Sequence, residues 1–198
     1  MNGPTNTVHV VVEGYARPLP GGGWQASSSS ALVTTPGGVR ILADPGGNRA
    51  LLLAGLRRLR VGRGAIAYVF LTHHHLDHAM NVALFPNAKV IDHEAVYDGD
   101  CATPVGGVIP GTDVAILPTP GHAPGHASLV VPSDRGTVVV AGDVFWWRAG
   151  EPQTLDPEQP DDLAADPARL RRSREAVLER ADWIIPGHGR TQRVGTPR

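Results

Sequence analysis

The stretch A-I-A-Y-V-F-L-T-H-H-H-L-D-H, Ala65 to His78, decides how this sequence reads. Ala65–Leu71 is continuously apolar, as expected of a strand buried on both faces of a sheet. Thr72–His78 then brings four histidines and an aspartate out at the strand's C-terminal end, where binding sites of layered α/β folds collect. Side chains alternate along extended chain, so His73 and His75 point one way and His74 the other. Imidazoles at i and i+2 can reach one ion at ~2.0–2.1 Å. Asp77 and His78 follow as the chain turns, within reach of a second ion beside the first.

Working outward, polar side chains recur directly after apolar strands. His122 closes L-P-T-P-G-H, Asp143 ends the strand V-V-V-A-G-D, and His188 ends I-I-P-G-H. A fourth, His126, lies in G-H-A-P-G-H-A and is expected to hydrogen-bond near the site without being a ligand. Further strands are expected at Val8–Val12, Val114–Leu117, Ser128–Val131, Thr137–Ala141 and Trp183–Ile185, with short elements at Met80–Phe85, Lys89–Asp92 and Glu94–Tyr97. Ala31–Thr34 and Arg40–Ala43 flank T-P-G-G-V and read as a hairpin. Leu19–Ser30, with three consecutive glycines, reads as a loop carrying Trp24. Asn48 opens a helix to about Leu59, with Leu52, Leu56 and Leu59 on one face. Asp166 caps a second helix, Pro167–Arg180, whose proline sits at the first helical position. Strands interspersed with helices make this an α/β chain, and two mixed sheets packed face to face with helices outside would use these pieces.

Composition removes several function classes. Eighteen basic and 19 acidic residues leave a net charge of −1, so no global basic field exists to hold nucleic acid. A lone cysteine, Cys101, excludes an internal disulfide. Twenty-four glycines and 18 prolines predict many short elements and loops. No run approaches the ~20 apolar residues of a membrane span. The polar N-terminus has no leader pattern, so one domain spanning residues 1–198 and a cytoplasmic location are the expectations.

The set H-x-H-x-D-H, then H, D and H, resembles the metallo-β-lactamase superfamily over nearly the whole chain. I-L-A-D-P-G-G at Ile41–Gly47 is similar to its Asp-x-Gly segment. The flanking text E-G-Y-A-R-P, L-F-P-N-A, V-V-V-A-G-D-V-F and I-I-P-G-H-G is most similar to the metallo-β-lactamase domain-containing protein 1 group. The resemblance implies a four-layer αββα sandwich and two metal sites. His73, His75 and His122 would hold the first ion, Asp77, His78 and His188 the second, and Asp143 would bridge them. Asp44 would accept a hydrogen bond from a ligand imidazole. Five imidazoles and two carboxylates without thiolate suit two Zn2+, with Fe or Mn also accommodated. The implied activity is a metal-dependent hydrolase using a bridging hydroxide on a small ester, thioester or lactone, with Asp77 shuttling a proton. A phosphodiesterase or nuclease on the same site, and an iron-dependent persulfide dioxygenase, are the alternatives. Ten residues follow His188, so the glutathione-binding helical domain of glyoxalase II enzymes is not expected. The partner is a small molecule, with nucleic acid disfavoured and no membrane.

Other positions carry plainer expectations. Of Trp146 and Trp147, one should wall a pocket and one should pack in the core. Trp24 is a candidate pocket flap, and Tyr15 is a weaker candidate to approach the site. Arg169, Arg171, Arg172 and Arg174, with acidic neighbours, read as a solvated, paired helix face.

Overall fold

The computed structural model describes residues 5–195; the remaining residues of the expected 1–198 domain, including Met1–Pro4 of the polar N-terminus, lie outside them. In chain order the first half runs β1 (Thr7–Val12), β2 (Tyr15–Pro18), β3 (Trp24–Ser27), β4 (Ser30–Thr34), β5 (Arg40–Ala43), α1 (Arg49–Arg58), β6 (Tyr68–Phe70), α2 (Leu76–Ala79), β7 (Lys89–Ile91), β8 (Ala95–Asp98) and β9 (Cys101–Pro104). The second half runs β10 (Ala115–Pro118), β11 (Ala127–Ser133), β12 (Gly136–Trp146), α3 (Pro167–Leu178), β13 (Trp183–His188) and β14 (Gln192–Arg193).

These strands form a seven-stranded sheet in the order β1-β4-β5-β6-β7-β8-β9 and a five-stranded sheet in the order β10-β11-β12-β13-β14. The centre of the first sheet is parallel, with β6 between β5 and β7, and its flanks are antiparallel. In the second sheet the parallel pair is β12 with β13. Strand alternation sorts side chains between layers. Val33, Ile41 and Ala43 meet Leu129, Val138 and Val140 in a core between the sheets. The intervening Leu32 and Leu42 face outward and pack on Leu52 and Leu56 of α1. On the far side, Val139 and Ala141 pack on Val177 of α3. The result is α, β, β, α in four layers, built because both sheets bury both faces. Among the described residues no helix is long and apolar enough to cross a membrane.

Both helices begin at the expected caps. The Asn48 side chain accepts from the Leu51 N–H, and the Asp166 side chain from the Arg169 N–H. Four expectations need correction. Leu19–Ser30 is not one loop: β3 pairs with β2 in a two-stranded ribbon, and only Leu19–Gly23 forms its tip. The glycines mark the turn, and the chain after them is extended. The strand at Ala65–Leu71 is shorter, since Arg63–Ala65 forms a 3-10 turn and only Tyr68–Phe70 is strand. Asp143 does not end its strand, because β12 runs on to Trp146. The ladder to β13 instead breaks on either side of Gly142, which has φ +54, and the distortion re-aims the next side chain, as β-bulges beside sites do. Finally, Arg174 is buried rather than solvated. Its guanidinium donates to the carbonyls of Val144 (2.9 Å), Pro157 (3.2 Å) and Gln159.

Candidate metal centre

All seven expected ligand side chains converge at one end of the sandwich, between the sheets' carboxyl ends. After β6 the Leu71 N–H still donates to the Ile91 carbonyl at 2.8 Å; the chain then leaves the sheet through Thr72–His75. The single turn α2 follows, with His75 at its N-cap, and carries Asp77 and His78. His122 sits on the turn after β10, Asp143 at the break in β12, and His188 on the last residue of β13.

One ligand atom from each of His73, His75, His122 and Asp143 lies within 4.8 Å of the other three, and the same holds for Asp77, His78 and His188. Asp143 stands between the groups with one oxygen toward each. Its Oδ2 is 3.3 Å from His122 Nε2 and 3.9 Å from His73 Nε2. Its Oδ1 is 3.3 Å from His78 Nε2 and 3.7 Å from His188 Nε2. Asp77 Oδ2 closes the second group at 3.2 Å from His188 Nε2. Such close approach requires Gly187: a Cβ there would lie 1.7 Å from Asp143 Oδ1.

Outward partners orient the rings. His78 Nδ1 meets Asp44 Oδ2 at 2.8 Å, His73 Nδ1 meets Thr72 Oγ1 at 3.1 Å, and His122 Nδ1 meets Asp161 Oδ2 at 3.0 Å. His188 Nδ1 reaches the carbonyls of Tyr15 (3.1 Å) and Ser27 (3.2 Å) on the ribbon. An imidazole that donates from Nδ1 keeps its Nε2 lone pair free, and here every such Nε2 faces Asp143. Thr72 joins two of these pairs, because its hydroxyl donates to Asp44 Oδ2 at 2.8 Å. Asp44 therefore stands where expected, at φ 47.

The donor set fits divalent cations. His73 Nε2, His78 Nε2 and Asp143 Oδ1 are buried without a hydrogen-bond partner among the described residues, an arrangement that costs free energy unless something else binds there. Burial, then His78, pushes His73 well below the usual imidazole range, so it presents a neutral nitrogen. Burial alone would raise Asp143, but His78 and His188 hold its carboxyl well below the usual range, so it presents an anion.

His126 is buried and belongs to neither group. The Asp143 backbone N–H donates to its Nε2 at 3.2 Å. Its Nδ1–H must then donate to Thr119 Oγ1 (2.9 Å), which donates to Ser128 Oγ (2.9 Å), which donates to the Ala141 carbonyl (3.2 Å). Burial pushes His126 down to about 3, so it stays neutral and holds the backbone of Asp143. His74 turns away as alternation requires, and bonds Asp92 Oδ2 at 3.0 Å.

Comparison with known proteins agrees with this geometry. Residues 23–105 match the model of the metallo-β-lactamase superfamily. Metallo-β-lactamase domain-containing protein 1 of Xenopus laevis is 37% identical over 204 aligned residues, covering 97% of this chain and 83% of that protein. The chain belongs to the metallo-β-lactamase superfamily. Among solved structures, a Thermotoga maritima protein assigned as a metallo-β-lactamase superposes with a TM-score of 0.73 at 20% identity, covering 96% of this chain and 99% of the other. A dizinc quorum-quenching lactonase in complex with a product gives 0.61 at 17% identity, over 83% and 74% of the two chains. As a hydrolase of that superfamily the chain carries a His/Asp cluster suited to metal.

The cluster forms the floor of an open cavity of about 370 Å³ whose walls include Trp24, Ala26, Leu76, Met80, Trp146 and Leu163. Trp146 is the wall and Trp147 the core residue, packed with Phe145 and Val177. Trp24 also lines the cavity, edge-to-face with Trp146 at 6.3 Å, but from a strand rather than a flap. Tyr15 contributes its backbone carbonyl to His188, while its hydroxyl accepts from Asn48 Nδ2 at 2.9 Å. The sequence reading missed Asp161, the buried carboxylate on His122. It lies in the polar run P-D-D-L between elements, where no period or motif distinguishes it from Asp162.

Proposed function

We propose that this member of the superfamily is a dinuclear metal-dependent hydrolase, holding two zinc ions and cleaving a small ester, thioester or lactone with an apolar group. The observation that carries the reading is the position of Asp143, one oxygen toward each histidine group, on the floor of an apolar cavity. His73, His75 and His122 would hold one ion and Asp77, His78 and His188 the other. Two such cations lower the pKa of a water toward neutrality and polarise a substrate oxygen, so no separate nucleophilic residue is required.

The chain supplies the rest. The outward partners of His73, His78, His122 and His188 orient these rings toward Asp143, the role that outer hydrogen-bond partners play for metal-bound imidazoles. Asp77 reaches the cavity from α2 and is partly exposed. Its carboxylate takes up the proton of the attacking water and returns it to the leaving group. Trp24, Trp146, Leu76 and Met80 offer an apolar wall to the apolar part of the substrate. Among the described residues no lysine or arginine lines the cavity. Arg148 stacks at the rim on Trp24 and Trp146, at 5.4 and 5.5 Å from their centroids, already paired with Asp162 and Glu151. That charge pattern favours a neutral carbonyl substrate over a phosphodiester.

Metal analysis of the purified protein, followed by hydrolysis of nitrophenyl acetate, nitrophenyl hexanoate, an acyl lactone and bis-nitrophenyl phosphate, tests the reading. Two equivalents of zinc and turnover of the carbonyl substrates, abolished in Asp143→Ala, are expected. One iron per chain, or turnover of the phosphodiester alone, would overturn it.

A further inference from the structure

We propose that Asp161 is a positioning residue that ties His122 to the tryptophan wall of the substrate cavity through one shared oxygen atom; this rests on the metal-dependent reading above. Asp161 Oδ2 accepts from His122 Nδ1 at 3.0 Å and from the Trp146 indole Nε1–H at 2.9 Å. Its other oxygen accepts from the Leu163 N–H at 2.9 Å. The carboxylate is buried, with 2% side-chain exposure, and all three contacts are donors to it. One anion therefore sets the ring plane of a ligand and the ring plane of a substrate contact, whose centroids lie 6.3 Å apart at 74°.

The segment that delivers Asp161 is itself fastened at both sides. The N–H groups of Ala165 and Asp166 donate to the carbonyls of His122 (3.2 Å) and Gly121 (2.8 Å). On the other side, Gln159 accepts from Trp147 Nε1 at 2.8 Å and donates to the Trp146 carbonyl at 3.0 Å, and buried Arg174 holds the carbonyls of Pro157 and Gln159. The segment thus spans from the turn of His122 to the strand of Trp146 without secondary structure of its own. A structural prop for either residue alone would not need a carboxylate whose single oxygen faces both.

Asparagine at this position is nearly isosteric but cannot satisfy all three donors. If its oxygen faces His122 and Trp146, its amide group meets the Leu163 N–H; if reversed, its amide group meets two N–H donors. Asp161→Asn is therefore expected to bind Zn2+ 10–100-fold more weakly in competition with a chromogenic chelator. In the same variant the Trp146 indole N–H resonance, assigned by its loss in Trp146→Phe, should shift, and KM for nitrophenyl hexanoate should rise. Trp146→Phe should raise KM while leaving Zn2+ affinity within about threefold of wild type, because Asp161 still orients His122. Asp161→Asn with wild-type Zn2+ affinity and an unmoved indole resonance overturns the Asp161 proposal alone; a wild-type protein that binds no Zn2+ overturns the metal reading as well. Should the asparagine variant fail to fold, nitrogen NMR of the histidine-labelled wild type decides. A His122 ring protonated at Nδ1 supports the proposal, and one lacking that proton overturns it.

Discussion

Replacing His126 with leucine removes one acceptor and one donor from the buried chain that runs from Asp143 to Ala141. The Asp143 N–H is left without a partner, a loss of about 1–3 kcal/mol for a buried donor, and Thr119 loses a donor worth about 1 kcal/mol. A combined loss of about 2–4 kcal/mol lowers the melting temperature of a chain this long by roughly 5–15 °C, which most domains survive. His126→Gln restores an acceptor toward Asp143 and should recover part of the loss. Acid adds a second signature. His126 is pushed from its ordinary value of 6.5 down to about 3, chiefly by burial. Between those two values the unfolded chain takes up a proton that the folded chain refuses. Its contribution therefore favours the fold above 6.5 and declines as pH falls, by about 1.4 kcal/mol per unit. Urea unfolding of the chelator-treated protein at pH 7.5, 5.5 and 4.5 should show a shallower acid slope in the leucine variant. Equal midpoints at neutral pH and equal slopes in wild type and variant would refute both the hydrogen-bond direction and the neutral state assigned to this ring.

Three further outcomes follow from the same geometry. Gly187→Ala places a methyl group where Asp143 Oδ1 now lies, so bound metal measured by mass spectrometry should fall well below that of wild type. Asp44→Asn keeps a residue tolerant of positive φ but opposes a donor to either the Thr72 N–H or His78 Nδ1; a loss of about 1.5–3 kcal/mol in urea unfolding and weaker Zn2+ competition are expected. Arg174→Met retains the apolar stem but removes three carbonyl contacts, so stability should drop by roughly 3 kcal/mol or more, and amide exchange across residues 148–166 should accelerate.

The clustered histidines and aspartates were legible because each lies in or shortly after an apolar strand and is an uncommon side chain for that place, although Asp143 proved to lie inside its strand. Both helix starts were legible for a similar reason, Asn48 and Asp166 being caps whose chemistry is local. What was not legible depended on partners distant in sequence. The glycines of Leu19–Gly23 gave the ribbon the composition of a loop, although extended chain on both sides pairs from Tyr15 to Ser27. β12 overran its expected end because Gly142 reads as a terminator, whereas the structure uses it to distort a strand that continues. Arg174 shares its helix with three exposed arginines, and only the fold shows that its face is the one turned toward Pro157 and Gln159. Asp161 is defined by His122, 39 residues away, and no local pattern encodes that distance.

The β2–β3 ribbon is rooted in the metal centre and free at its far end. Ser28 and Ser29 donate their N–H groups to the carbonyls of Asp77 (3.0 Å) and Gly187 (2.6 Å), while at Gly21, Gly22 and Gly23 an added Cβ would meet nothing within 4 Å among the described residues. Gly21, Gly22 and Gly23 sit at φ 88, 102 and 85 and resist exchange, but insertions at the hairpin crest can reshape the mouth of the cavity through Trp24 without disturbing the His/Asp cluster. A lineage built on this scaffold can diversify which molecules it accepts while its reactive machinery stays constant.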